Sequence, residues 1–125
     1  MRGDITHTNI CCLKRDLDLK LGAEESICEA QYPNSNGFGD VRSKFNGKLH
    51  FSEIVVNCTS NIVDHVKSCF IESQGQVETL TIVTLLKSEH KKILEQIMSV
   101  PELVFFVNRI KFMTLEDILK ELYER

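Results

Sequence analysis

A chain of 125 residues with 42% hydrophobic content fits one domain with a single core. Its net charge of −3 gives no overall attraction to nucleic-acid phosphates, and no apolar run approaches the roughly eighteen residues of a membrane span. The first ten residues, MRGDITHTNI, lack the apolar stretch of a secretion signal, so the expectation is an intracellular protein with no membrane partner. Cys11, Cys12, Cys28, Cys58 and Cys69 are an odd number without a CxxC pair, which argues for free thiols over a disulfide framework or a closed zinc knuckle.

Residues 1–10 show no periodicity and read as a frayed lead into a single α/β domain over 11–125. From Cys11 onward, Leu13, Leu17, Leu19 and Leu21 alternate with polar residues, the pattern of a half-buried strand closed by Gly22. Residues 23–31 fit either a short helix or a continuation of that edge, and 32–39 (YPNSNGFG) are dense in turn formers and read as a loop.

Asn46-Gly47 lies between two strand-like runs and is the strongest short-range hairpin signal in the chain, because a two-residue type I′ turn needs φ > 0 at both positions. With that loop Phe45 faces Lys48, and continuing the register sets Asp40 opposite Glu53. Directly opposed Cβ atoms are about 4.5–5.5 Å apart, so two carboxylates there repel unless a cation lies between them. That arrangement suits a divalent metal; the bland alternative is two solvent-facing carboxylates.

Beyond the hairpin, residues 58–61 offer N-caps for a helix striped by Ile62, Val66, Cys69 and Phe70, closed at 74–76. Residues 77–86 (VETLTIVTLL) form a central strand. Ser88 caps a helix that Pro101 stops, and 103–112 form a further strand. Thr114 opens a last helix with capping-box spacing. Helical crossovers make the later strands parallel, so the fold is an α/β domain with a mixed sheet, an antiparallel hairpin plus parallel strands flanked by helices.

This pattern resembles the nuclease fold of restriction endonucleases and Holliday-junction resolvases, over roughly residues 38–122. In that family an Asp starts one hairpin strand and a (D/E)-x-K motif lies on the next; the carboxylates hold metal, and the Lys positions the attacking water. The resemblance implies Asp40 and Glu53 as catalytic and metal-binding residues, Mg²⁺ or Mn²⁺ as cofactor, and DNA or RNA as partner. Glu53-Ile54-Val55 occupies the motif with valine in the lysine position, which leaves Lys48 or Lys44 to supply an ammonium from a shifted place. An alternative register puts 57–59 (NCT) at the motif and loses the acid. The implied function is a divergent, inactive nuclease-like domain that binds nucleic acid or acts as an interaction module with a protein partner or as a homo-oligomer.

The run over residues 77–112 also resembles the closing β-α-β of ACT-type regulatory domains, ferredoxin-like modules that bind amino acids or pair edge to edge. It lacks their Asp-x-x-Gly ligand loop and the hairpin their order requires between the first helix and strand 77–86. His65 and Cys69, four apart on one helix, are a candidate soft-metal pair, although core burial explains Cys69 more simply. Cys58 beside a helix N-terminus is a candidate reactive thiol.

Overall fold

A computed structural model describes residues 5–56 and 62–124. The elements run α1 (Ile5–Lys20), β1 (Glu25–Gln31), β2 (Phe38–Phe45), β3 (Lys48–Val55), α2 (Ile62–Lys67) continued by a π turn (Ser68–Glu72), β4 (Val77–Thr84), α3 (Ser88–Met98), a 3₁₀ segment (Pro101–Arg109), β5 (Ile110–Thr114) and α4 (Leu115–Tyr123). Cys58 and the alternative motif at 57–59 lie outside the described residues. None of the helices among the described residues is long and apolar enough to cross a membrane.

The five strands form one mixed sheet in the order β1-β2-β3-β4-β5. β1, β2 and β3 pair antiparallel, whereas β3, β4 and β5 are parallel and joined by helical crossovers. The β2–β3 turn is Asn46-Gly47, with φ of 52° and 79° as a type I′ turn demands. Its register runs from Phe45↔Lys48 to Val41↔Ser52, as read from the sequence.

Helices cover both faces. On one, Ile62 and Val66 of α2, Cys69 and Phe70 of the π turn, Ile93 and Ile97 of α3, and Leu103 of the 3₁₀ segment pack on Phe51, Leu80 and Ile82. On the other, Ile10, Cys11 and Leu17 of α1 and Ile118 of α4 pack on Val41, Ile54 and Val83. β4, buried throughout its second half, lies between the two layers, which explains its unbroken apolar run.

The structure corrects the sequence reading in three places and settles a fourth. Ser88 is the first residue of α3 rather than its cap, and the helix starts without a side-chain capping bond. The stretch read as a frayed lead followed by a strand is the single helix α1, and its buried residues, Ile10, Cys11, Lys14, Leu17 and Asp18, follow helical spacing. Two of those five are charged: Lys14 Nζ donates to Asp18 Oδ1 at 2.5 Å, and Ser43 Oγ donates to Asp18 Oδ2 at 2.5 Å. The pairing lets this polar pair occupy the inner face, and it hides the helix period from a reading of apolar residues. Residues 103–112 divide into the 3₁₀ segment, with Pro101 at its start, and the short strand β5. Phe106 stacks on Phe70 at 5.1 Å between ring centroids, while Phe105 is 84% exposed. Residues 25–31, left open between helix and edge, are β1.

α4 starts as its sequence suggests. The Thr114 hydroxyl accepts from Asp117 N at 3.1 Å, and the Asp117 carboxylate accepts from Thr114 N at 2.9 Å. This reciprocal capping box satisfies two backbone donors that a helix start otherwise leaves without partners. Those hydrogen bonds, led by the one from the Thr114 backbone, hold the Asp117 carboxyl below its ordinary value.

Candidate functional site

The hairpin register carries Asp40 and Glu53 to the same end of the sheet, where the parallel strands β3, β4 and β5 finish. In open α/β sheets the carboxyl ends of parallel strands are the usual place for ligands. Both carboxylates are buried, at 1% and 4% exposure. The ladder itself stops at Val41↔Ser52. Beyond it the Asp40 side chain takes over a backbone role, its Oδ2 accepting from Ile54 N at 2.7 Å. On the other side of β2, Glu29 stands between the pairs Cys28↔Val41 and Ala30↔Gly39 with φ of 57°, a left-handed conformation that costs a non-glycine residue energy. The sheet is thus irregular on both flanks of Asp40.

Glu53 is held from two directions. Tyr32 Oη donates to Oε2 at 2.5 Å, and His65 Nδ1 of α2 stands 3.3 Å from the same oxygen. Tyr32 reaches this position by packing on Phe51, with ring centroids 4.5 Å apart. Gly39 makes room for it: a Cβ there would lie 2.5 Å from Phe51 Cδ2 and 3.1 Å from Tyr32 Cζ. Burial, reinforced by the Asp40 charge, pushes the Glu53 carboxyl up to about 7 despite the opposing hydrogen bonds from His65 and Tyr32. Burial and then the Glu53 charge raise the Tyr32 phenol well above its ordinary value, so it stays a donor.

Asp40 faces a second group, supplied by α1. His7 Nε2 is 3.3 Å from Asp40 Oδ2, and His7 Nδ1 is 3.7 Å from Cys11 Sγ. His7 and Cys11 are four residues apart and share one helix face. One ligand atom from each of His7, Cys11 and Asp40 falls within 4.8 Å of the others. This end of the sheet therefore gathers nitrogen, sulfur and oxygen donors.

Of the residues singled out in the sequence, Asp40 and Glu53 are buried at one end of the sheet, near enough for the Asp40 charge to act on Glu53, and Lys48 is not there. Lys48 lies exposed beside the hairpin turn, five residues from Glu53, about 16 Å along an extended strand. Lys44, paired with Leu49, is also at the turn end of the hairpin. Val55, two residues past Glu53, is half-buried against the apolar core. Cys69 points into that core at 0% exposure, and burial pushes its thiol well up, so it does not join His65 in a site. Tyr32, His7 and Cys11 were not singled out from the sequence. The His-x-x-x-Cys spacing at 7 and 11 is the signal that could have found the last two, once the segment is read as a helix.

No family model and no curated protein matches the chain. Among solved structures it is similar to protein VC1899 from Vibrio cholerae, with a TM-score of 0.54 and 13% identity over 90% of this chain. The match spans 30% of that protein's length and concerns the fold alone.

Proposed function

We propose that this chain is a divergent nuclease-like domain that does not cleave and acts in binding, with nucleic acid or a protein as its ligand. The observation that carries this reading is the burial of Asp40 and Glu53, from two strands of one hairpin, at the carboxyl ends of the parallel strands and near enough for the Asp40 charge to act on Glu53. The order of three antiparallel strands followed by helix-linked parallel neighbours supports it too. The ACT-type alternative draws less support, because α2 leads straight into the adjacent parallel strand β4 with no intervening hairpin.

Loss of cleavage follows from what surrounds the carboxylates. Hard Mg²⁺ or Mn²⁺ takes oxygen ligands and keeps several waters. Here one Glu53 oxygen receives both Tyr32 and His65, Asp40 receives Ile54 N and faces His7, and Val55 offers no ammonium. These residues do not fit a catalytic Mg²⁺ or Mn²⁺ centre, and no hydrolytic step is assigned to them. The four described cysteines are free thiols, which supports an intracellular setting.

The test is a cleavage assay on labelled DNA and RNA with Mg²⁺ or Mn²⁺, run beside calorimetric Mn²⁺ titration. The expected result is no metal-dependent cleavage. Cleavage that requires Mn²⁺ and is abolished by Asp40→Asn or Glu53→Gln would overturn the proposal. Mobility shifts with single- and double-stranded DNA and RNA across a salt series decide which class of ligand is bound, because phosphate contacts weaken steeply with salt.

A further inference from the structure

We infer that His7, Cys11 and Asp40 form a zinc site that shares only Asp40 with the nuclease-type carboxylate pair. The three residues come from two elements, α1 and β2, that the α1 face of the sheet packs together. In a tetrahedral site with Zn–N and Zn–O near 2.0 Å and Zn–S near 2.3 Å, ligand atoms stand about 3.3–3.7 Å apart. The structure already has His7 nitrogen to Asp40 oxygen at 3.3 Å and His7 nitrogen to Cys11 sulfur at 3.7 Å. Those contacts use opposite ring nitrogens, so one nitrogen must serve the metal, and the set lies within 4.8 Å. Closing the widest gap needs a shift of about 1 Å, within the reach of small side-chain rotations at the first turns of α1.

The donor chemistry selects the metal class. Thiolate and imidazole favour borderline or soft ions such as Zn²⁺ over Mg²⁺ or Mn²⁺, and one carboxylate completes a three-ligand set whose fourth position goes to water. Zn²⁺ binds Cys11 as thiolate, and the thiol proton leaves to the buffer. The site uses neither Glu53 nor a lysine, so it stands whether or not the domain ever cleaves nucleic acid.

The experiment is a Co²⁺ titration of the chelator-treated full chain, followed in the near-ultraviolet and visible, with Zn²⁺ as competitor. A thiolate-to-cobalt charge-transfer band and tetrahedral visible bands saturating near one equivalent, and bleached by Zn²⁺, are expected. Cys11→Ser should remove the charge-transfer band. His7→Ala, whose fold is checked by circular dichroism because the His7 side chain is only 12% exposed, should weaken binding at least tenfold, since losing even an outer-shell partner costs about 10–100-fold. Cys28→Ser should leave the spectrum unchanged. Absence of the band in the wild type, its persistence in Cys11→Ser, unweakened binding in His7→Ala, or its loss in Cys28→Ser would each overturn the proposal. A negative result would leave the cleavage assay, which reads Mg²⁺ or Mn²⁺ chemistry, unaffected.

Discussion

Replacing Glu53 with glutamine should remove a pH dependence of stability that the buried carboxyl imposes. In the folded chain this group titrates at about 7, against 4.5 in the unfolded chain. The folded state therefore holds its proton more tightly. The stability this contributes is complete well below pH 4.5 and is lost as pH rises through about 7. Between pH 5 and pH 8 the loss comes to about 2–3 kcal/mol, from the proton-binding ratios of the two states. For a domain of this size that is roughly 10 °C in melting temperature. The substituted amide keeps an oxygen to accept from Tyr32 but never ionises. Urea denaturation of wild type and Glu53→Gln at pH 5, 6, 7 and 8 isolates the difference, because every other titrating group is common to both. The stability of the variant relative to wild type should grow by about 2–3 kcal/mol from pH 5 to pH 8. A difference that stays flat, or shrinks as pH rises, would refute the account of Glu53 as a carboxyl that burial keeps protonated.

Three further outcomes can be checked by denaturant titration with circular dichroism. Asp18→Ala leaves the Lys14 ammonium, 7% exposed, without its carboxylate, and should cost about 3–5 kcal/mol; a loss under about 1 kcal/mol would mean that Lys14 escapes to solvent. Thr114→Ala removes the side-chain half of the capping box and should cost about 1 kcal/mol, with no effect expected of Thr114→Ser. Gly39→Ala forces a Cβ against Phe51 and Tyr32 and should cost about 1–3 kcal/mol. A fully stable Gly39→Ala protein would show that the packing of Tyr32 over Glu53 is not set by that glycine.

Elements whose local chemistry is self-sufficient were legible in the sequence. Asn46-Gly47 dictates its turn and with it the register that runs to Val41↔Ser52, one step short of Asp40 and Glu53; Thr114 and Asp117 cap α4 without help from elsewhere. α1 was not legible, because Lys14 and Asp18 neutralise one another on the buried face and thereby interrupt the apolar stripe. The apolar run around Phe105-Phe106 reads equally as strand or helix. Only packing against Phe70 decides which of the two phenylalanines is covered. The site shows the same division. Its two carboxylates follow from strand register, whereas Tyr32, His65, His7 and Cys11 arrive through a loop and two helices whose positions are tertiary facts.

Every strand of the sheet pairs with its neighbour in sequence, but only the antiparallel β2–β3 pair closes through a two-residue turn, whereas β4 and β5 join across helical crossovers. Docking α1 against α4 spans a longer separation still: Lys20 Nζ donates to the carbonyls of Glu121 and Leu122 at 2.7 and 2.9 Å, about a hundred residues away. His7 and Cys11 ride on that helix, so their meeting with Asp40 waits on α1. An ion held there would act as a latch on α1, retarding its detachment and the amide exchange that detachment permits.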